Sequence, residues 1–162
     1  CMTLSAPTAP PLDSPLVSSQ IPIERFGLQP HPEGGWYREV HRSSLQVSRS
    51  DGAQRAGFTV ILFLLEAGRC SAWHRVHGAD ESWHFVAGAP LELLMRPDHD
   101  PHKEPETRRL GTCLEQPEFE PLVVVPAGWW QAARSLGAWS LVSCCVGPGF
   151  DFQDFELLDT RH

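Results

Sequence analysis

The stretch SAWHRVHGADESWHFVAG, residues 71–88, gathers three histidines (His74, His77, His84) and two acids (Asp80, Glu81) among apolar and aromatic neighbours. Whether they converge on one site is a question of strand parity. With HGAD (77–80) as a four-residue hairpin loop, Val76 faces Glu81 and His74 faces Trp83. Alternation then puts Ala72, His74, Val76, Glu81, Trp83 and Phe85 on one face, and Trp73, Arg75, Ser82 and His84 on the other. His74 and Glu81 become diagonal neighbours, about 7–8 Å apart at the backbone and within side-chain reach of one ligand. A loop of three or five residues reverses one strand and brings His84 to the His74 face, so hairpin geometry alone leaves both registers open. His77 sits in the loop itself.

Outward from this stretch the chain reads as short strands punctuated by turns. Strands are expected at Trp36–Arg42, Phe58–Leu65, Ser71–Val76, Glu81–Ala87, Leu91–Arg96, Leu122–Val125, Gln131–Ser135 and Ser140–Val146. HPEGG, GAP, AGWW, SLG and GPG supply the turns. FTVILFLL and LVVV are apolar on both faces, the pattern of central strands. Fifteen prolines and thirteen glycines argue against long helices, and the whole fits an all-β sandwich or barrel. LELLMRP followed by DHDPHKEPETRR reads as a strand and a hydrophilic hairpin loop, with DHDPH (98–102) as a solvated tip rather than a metal loop. FDFQDFELLD reads as a short amphipathic turn that docks aromatics on the sheet. Residues 1–20, rich in Pro, Ser and Thr, read as a flexible leader, leaving residues 21–159 as a single domain.

The composition excludes several functions. A formal charge of −7 over 162 residues gives no reason to expect nucleic acid or an anionic membrane as partner. The longest apolar run, Val60–Leu65, is far short of the roughly 20 residues a membrane span needs. Five cysteines without a CxxC pair read as reduced thiols of a cytoplasmic protein. Cys144 and Cys145 are adjacent in a strand, so they point to opposite faces. There is no GxSxG elbow and no phosphate-cradling glycine-rich loop.

The spacing Gly68-x5-His74-x2-His77-x3-Glu81-x6-Gly88 resembles the first motif of the cupin superfamily, and Pro126-Ala-Gly128-Trp-Trp-Gln131 resembles the second. HPEGGWYRE (31–39), SAWHR (71–75), ESWHF (81–85), VVPAGWWQAAR (124–134) and PGFDFQDFEL (148–157) look like the recurrent strings of small single-domain cupins of unknown function. The resemblance runs from about residue 21 to 159. It implies a double-stranded β-helix, a jelly-roll barrel with short helical or irregular ends and a pocket at one end. It also implies the register that turns Glu81 inward, and a homodimer that covers its edge strands by strand exchange.

Metal-binding cupins present two histidines and a glutamate from the first motif and a histidine from the second. Here HxxH stands where HxH is expected, Val76 occupies the ligand position, and Gln131 replaces the second-motif histidine. A glutamine oxygen is a weak neutral donor, better suited to a hard metal or a substrate hydrogen bond. The candidate metal set is therefore His74, Glu81 and Gln131, with His77 added if its loop folds inward. The alternatives are one divalent ion or no required cofactor.

A carboxylate within an aromatic strand is costly unless solvated, paired or used, which marks Glu81, and His74 shares its face. These two are the candidate catalytic pair. Trp83, Gln131, Glu33, Tyr37 and Arg38 are the candidate ligand contacts, Arg38 because a guanidinium grips carboxylate or phosphate bidentately. His84 belongs to the outer face. Three functions fit: a sugar or sugar-phosphate isomerase or epimerase using His74 and Glu81 as acid and base, a metal-dependent oxygenase-like cupin, and a non-catalytic module that binds or senses a small molecule.

Overall fold

Period-two patterning organises the chain into short strands that stack as two antiparallel sheets. The structure, a computed structural model, describes residues 18–97, 104–114 and 116–158. A seven-residue helix, α1 (Gln20–Phe26), comes first. The strands follow as β1 (Gln29–Pro30), β2 (Trp36–Arg42), β3 (Gln46–Ser48), β4 (Gln54–Ala56), β5 (Thr59–Glu66), β6 (His74–Val76), β7 (Asp80–Gly88), β8 (Leu91–Arg96), β9 (Glu106–Leu110), β10 (Leu122–Val125), β11 (Trp130–Ser135), β12 (Trp139–Gly147) and β13 (Phe155–Leu157). One sheet has the order β1-β2-β5-β12-β7-β10 and the other β13-β6-β11-β8-β9, while β3 and β4 pair as a separate hairpin.

Inward residues of both sheets share one core, with Phe63, Leu65, Trp83, Leu91, Leu93, Leu110, Val125 and Val142 at its centre. The opposite parity of β5 and β12 faces outward, and there α1 makes a second small core from Ile23, Leu28, Leu64 and Leu141. The helix ends at Gly27, whose left-handed conformation lets the Leu28 N–H reach the Ile23 carbonyl at 2.9 Å, a helix-closing turn. Ser19 and the Trp36 indole N–H both donate to Glu66 and tie the helix to the sheet. Among the described residues no helix is long and apolar enough to cross a membrane.

Several expectations need correction. The segment His77–Ala79 is no hairpin loop: β6 pairs with β11 and β13, whereas β7 pairs with β12 and β10. The chain crosses there from one sheet to the other, so His74 and Glu81 face each other between sheets rather than lying side by side. The parity was nevertheless right, because Val76 and Trp83 are both buried and alternation from each puts His74 and Glu81 inside. The strand expected from Ser71 begins only at His74, because Ser71 and Ala72 bond elsewhere, to Ala133 and to the Glu33 carbonyl. LVVV is an edge strand with Leu122 and Val124 exposed, not a central one. Glu106–Leu110, expected in a loop, pairs with β8 as β9. Residues 98–102 and all but the last three residues of the 1–20 leader lie outside the described residues. The closing segment forms a 3-10 turn at Phe152–Asp154 and then β13.

The HPEGG turn shows how tightly the loops are drawn in. Gly35 has φ +74°, and a methyl group added there would meet the Leu64 carbonyl oxygen at 2.7 Å. Gly52, in the β3–β4 hairpin, has φ +86° with nothing within 4 Å of that position. Gly52→Ala should therefore cost only the left-handed backbone term of about 1–2 kcal/mol. Gly35→Ala adds an overpacking cost of about 1–3 kcal/mol. Urea denaturation of the two variants should place Gly35→Ala clearly below Gly52→Ala, and equal midpoints would contradict the close approach.

Candidate functional site

The sheets part at one end around a cavity of about 460 Å³. Its wall is largely apolar: Tyr37, Ile61, Phe63, Trp83 and Val146 from one sheet, Val76 and Phe155 from the other, and Phe150 and Phe152 from the closing segment. The polar groups are concentrated in His31, Glu33, His74 and Glu81, and the rim carries Arg38, Glu39, Arg42 and Asp151.

Strand register builds the floor. His74 and Gln131 are directly opposite across β6 and β11, and both are buried. From the facing sheet, Trp83 lies opposite Cys144 across β7 and β12, one alternation from Glu81. Gln131 links the two sheets: its Oε1 accepts the Trp83 indole N–H at 2.9 Å, and its Nε2 donates to Glu81. The Cys144 thiol donates to the same carboxyl group, while Cys145 points to the other face, as alternation requires. Among the described residues all cysteines are free thiols.

The protons of the floor follow from its hydrogen bonds. His74 Nδ1 lies 2.9 Å from the Ala72 carbonyl, an acceptor only, so the ring proton sits on Nδ1. His74 Nε2 therefore offers a lone pair, and it faces Glu33 Oε2 at 3.2 Å. Burial, and then the charge of Glu81, raises the Glu33 carboxyl well above its ordinary range, so Glu33 is the protonated partner that donates to His74. Burial lowers His74 to about 4, consistent with a neutral ring. Burial raises Glu81 to about 7, against the two donors that favour its ionised form. His31, stacked edge-on against Tyr37 with centroids 4.5 Å apart, is likewise lowered by burial to about 4. The Glu33 N–H points at its Nδ1 over 3.3 Å.

The structure places the sequence candidates unevenly. His74, Glu81, Glu33, Trp83 and Tyr37 meet at the cavity. Arg38 stands at the rim, where its Nη1 donates to the Phe26 carbonyl at 2.9 Å. Gln131 lies behind Glu81 and outside the lining, so it positions the carboxyl group instead of contacting a ligand. His77 is exposed on the outside, 2.7 Å from Glu156, and is no pocket ligand. His84 bonds to Ser82 on the outer face. Sequence reasoning missed His31 and Cys144, and it placed the aromatic closing segment on the sheet without assigning it to the pocket. His31 and Glu33 are two residues apart in HPEGG, the spacing of side chains on one side of an extended segment, and that was the available signal. The closing segment is held by Asp154, whose carboxylate accepts from Arg49 and Arg55 of the β3–β4 hairpin at 2.7–2.9 Å. It brings Phe155 to 5.5 Å from His74.

These donors do not suit the metal set His74, Glu81, Gln131 and His77. The Gln131 oxygen is committed to Trp83, the His74 lone pair faces a protonated carboxyl group, and His77 is on the outside. Among the described residues no group of three or more His, Cys, Asp or Glu is arranged to hold a metal ion.

Two packed antiparallel sheets with a pocket opening at one end, floored by a histidine and acids from both sheets, define an all-β protein of cupin type. The sequence matches the family described as Cupin superfamily (DUF985) over residues 20–158, and the chain belongs to that family. A hypothetical protein from Leishmania major is similar at 34% identity and TM-score 0.77, with 87% of each chain covered. Protein SO0799 from Shewanella oneidensis is similar at 36% identity and TM-score 0.76, covering 88% of this chain and 85% of that one. The capsular polysaccharide assembling protein CapF from Staphylococcus aureus shares the fold at 17% identity and TM-score 0.59, over 82% of this chain but 34% of its own. No curated protein matches the chain.

The floor gives stability a defined pH dependence. From about 4 to 6.5 the unfolded chain binds protons at His31 and His74 that the folded chain refuses, so their contribution rises with pH. From 4.5 to about 7 the folded chain holds a proton at Glu81 that the unfolded chain has lost, and Glu33, raised well above its ordinary range by burial, adds to the same effect. Their contribution falls with pH. The two pairs oppose each other up to 6.5; above it the histidines drop out and the glutamates act, joined in alkali by the Cys144 and Cys145 thiols, which burial also raises. Ion-paired carboxylates such as Asp154, shifted downward, act in acid and add no slope there. Stability should thus decline above pH 6.5, by no more than about 1.4 kcal/mol per pH unit for each glutamate. Glu81→Gln and Glu33→Gln should each flatten the decline in denaturant titrations at successive pH values. An unchanged slope in both would refute the buried-acid assignment.

Proposed function

We propose that this cupin is a proton-transfer enzyme of isomerase or epimerase type, acting on a carbonyl-containing sugar or sugar derivative in the end pocket. We take the two sheets to be the halves of a jelly-roll barrel that screens the pocket from water. The observation that carries the reading is the pairing of the Glu33–His74 proton with the separately held Glu81. A buried carboxyl group held protonated beside a second one near neutrality, in a pocket of small-molecule size, suits acid–base chemistry.

In this reading Glu81, ionised and oriented by Gln131 and Cys144, removes the proton from a carbon next to the carbonyl. The Glu33–His74 pair supplies its one shared proton to the carbonyl oxygen as negative charge grows there. Glu81 returning its proton to the neighbouring carbon, while the other enediol hydroxyl gives its proton to the Glu33–His74 pair, completes an isomerisation. Tyr37 giving a proton to the opposite face of the original carbon, while the enol proton returns to the pair and Tyr37 regains the proton that Glu81 took, completes an epimerisation. The aromatic wall packs on the apolar face of a sugar ring. Arg38 has no carboxylate partner among the described residues and stands where it can take an anionic substituent at the mouth. The likeness of fold to CapF, whose name ties that protein to capsular polysaccharide, supports a carbohydrate substrate.

The test is carbon–hydrogen exchange. Aldoses, ketoses and their phosphates would first be screened by thermal shift, where a ligand at 100 times its dissociation constant adds about 2.7 kcal/mol. Stabilising compounds would then be incubated with the protein in heavy water and followed by NMR. Deuterium should enter next to the carbonyl, and Glu81→Gln should slow entry by about 10²–10⁴-fold while still binding. Binding without exchange would make the protein a non-catalytic binder. Exchange that survives Glu81→Gln would overturn the assignment of the base.

A further inference from the structure

His31 is an ionisable group at the cavity that the chemistry proposed above leaves unused. Aromatic side chains box its ring: Tyr37, Phe63 and Phe155 stand edge-on with centroids 4.5, 5.8 and 6.1 Å away, and Phe152 lies closer to parallel at 6.5 Å. Its Nδ1 accepts the Glu33 N–H at 3.3 Å, so the proton of the neutral ring sits on Nε2, the tautomer opposite to that of His74. Among the described residues nothing accepts from His31 Nε2. Nor is this nitrogen sealed in protein, so the cavity is the space it opens on. Glu33 therefore lies between two bare nitrogens: its Oε2 is 3.2 Å from His74 Nε2 and 3.6 Å from His31 Nδ1. Main-chain groups fix the arrangement, because Ala72 holds His74 through its carbonyl and donates its N–H to the Glu33 carbonyl at 2.6 Å.

We propose that His31 is the catalytic residue through which the Glu33 proton reaches the substrate: Glu33 protonates His31 Nδ1 while His31 Nε2–H protonates the carbonyl oxygen. This rests on the isomerase or epimerase reading of the pocket and names the atom that touches the substrate. His74 cannot be the outlet, because its second nitrogen is committed to the Ala72 carbonyl. His31 has a bare nitrogen toward Glu33 and a donor toward the cavity. The step balances. The Glu33 O–H and His31 Nε2–H bonds break, and His31 Nδ1–H and substrate O–H bonds form. The C–H electron pair released to Glu81 chemistry becomes the enol double bond, and the carbonyl π pair takes the proton. What remains is a Glu33 carboxylate, a neutral His31 in its other tautomer and an enol. Glu81 becomes neutral as Glu33 becomes charged, so the cavity holds one negative charge before and after, and no second charge is desolvated. Charge also sets the timing. Ionised Glu81 is one of the causes that raise the proton affinity of Glu33, and it disappears as Glu81 takes the substrate proton. Burial holds His31 at about 4, which keeps the imidazole neutral, the form that suits a donor to an enolising carbonyl. The 3.6 Å gap to Glu33 is longer than a hydrogen bond, and it closes in the substrate complex, where catalytic contacts tighten.

Two measurements on the full chain test the proposal. Long-range proton–nitrogen NMR of the labelled protein near neutral pH should show His31 protonated at Nε2 and bare at Nδ1, with His74 the reverse. A His31 that carries its proton on Nδ1 would overturn the relay whatever the protein turns over. In heavy water, the aldose, ketose or sugar phosphate that the wild type exchanges fastest is then given to His31→Gln and His31→Phe. Glutamine keeps an N–H donor but cannot take a proton at one atom and release one from another. Both variants should therefore slow exchange by about 10²–10⁴-fold, while His31→Gln still binds the compound in thermal shift. Exchange at the wild-type rate in His31→Gln would overturn the relay and leave Glu81 as the base, Glu33 then acting directly on the carbonyl. A wild type that exchanges none of these compounds overturns the reading of the pocket and the role of His31 with it. Circular dichroism checks the fold of each variant, and the tautomer measurement depends on neither.

Discussion

The pocket depends on a single commitment: the Nδ1–H of His74 is spent on the carbonyl of Ala72, two residues before it in the chain. Once that proton is placed, Nε2 must accept, and the neighbour at 3.2 Å must be a carboxylic acid rather than a carboxylate. Burial makes the same choice independently, because a charged pair here would have to overcome desolvation of both groups. The result is a neutral histidine, a neutral acid and, on the facing sheet, a carboxyl group near its midpoint. The charge of Glu81 in turn pushes Glu33 further toward its protonated form.

Parity, rather than pairing, was the information that the sequence carried. Val76 and Trp83 must be inside because burying large apolar groups dominates the energy of such strands, and alternation from each fixes His74 and Glu81 regardless of which sheet each strand joins. Which strand pairs with which is decided by backbone hydrogen bonds, common to all residue types. For that reason the crossing at His77–Ala79 resembled a hairpin, and the facing sheets resembled neighbouring strands. His77 was misjudged for a related reason. Its spacing resembled a ligand motif, but a residue at a corner between sheets points wherever its local partner lies, here Glu156 outside.

What the sequence concealed is long-range and polar. QVS and QRA have no apolar alternation, so nothing marked Gln46–Ser48 and Gln54–Ala56 as paired strands. Their purpose emerges only with Arg49 and Arg55, which reach about a hundred residues along the chain to Asp154. This cluster is close to satisfied, with one carboxylate accepting from two guanidinium groups that are themselves largely sheltered. Breaking one partner of such a cluster would leave the rest unpaired, so the hairpin fixes the aromatic segment over the cavity. In the sequence these residues were indistinguishable from surface charges.

Gln131 shows how one side chain can change the chemistry of an inherited frame. A histidine there would offer a lone pair to the cavity, whereas an amide has both a donor and an acceptor and must satisfy both when buried. The Trp83 indole has only a donor, which settles the orientation: oxygen toward Trp83, nitrogen toward Glu81. The amide can then give Glu81 only a proton donor, and with the Cys144 thiol it favours the ionised form against the desolvation that opposes it. The balance between those opposing effects keeps Glu81 close to neutrality. Glu33 lacks such donors: the contacts around it are with His74 and His31, and the charge of Glu81 pushes it further toward protonation. Two carboxyl groups in one cavity are thereby driven apart in proton affinity by the donors behind only one of them, without any difference in residue type.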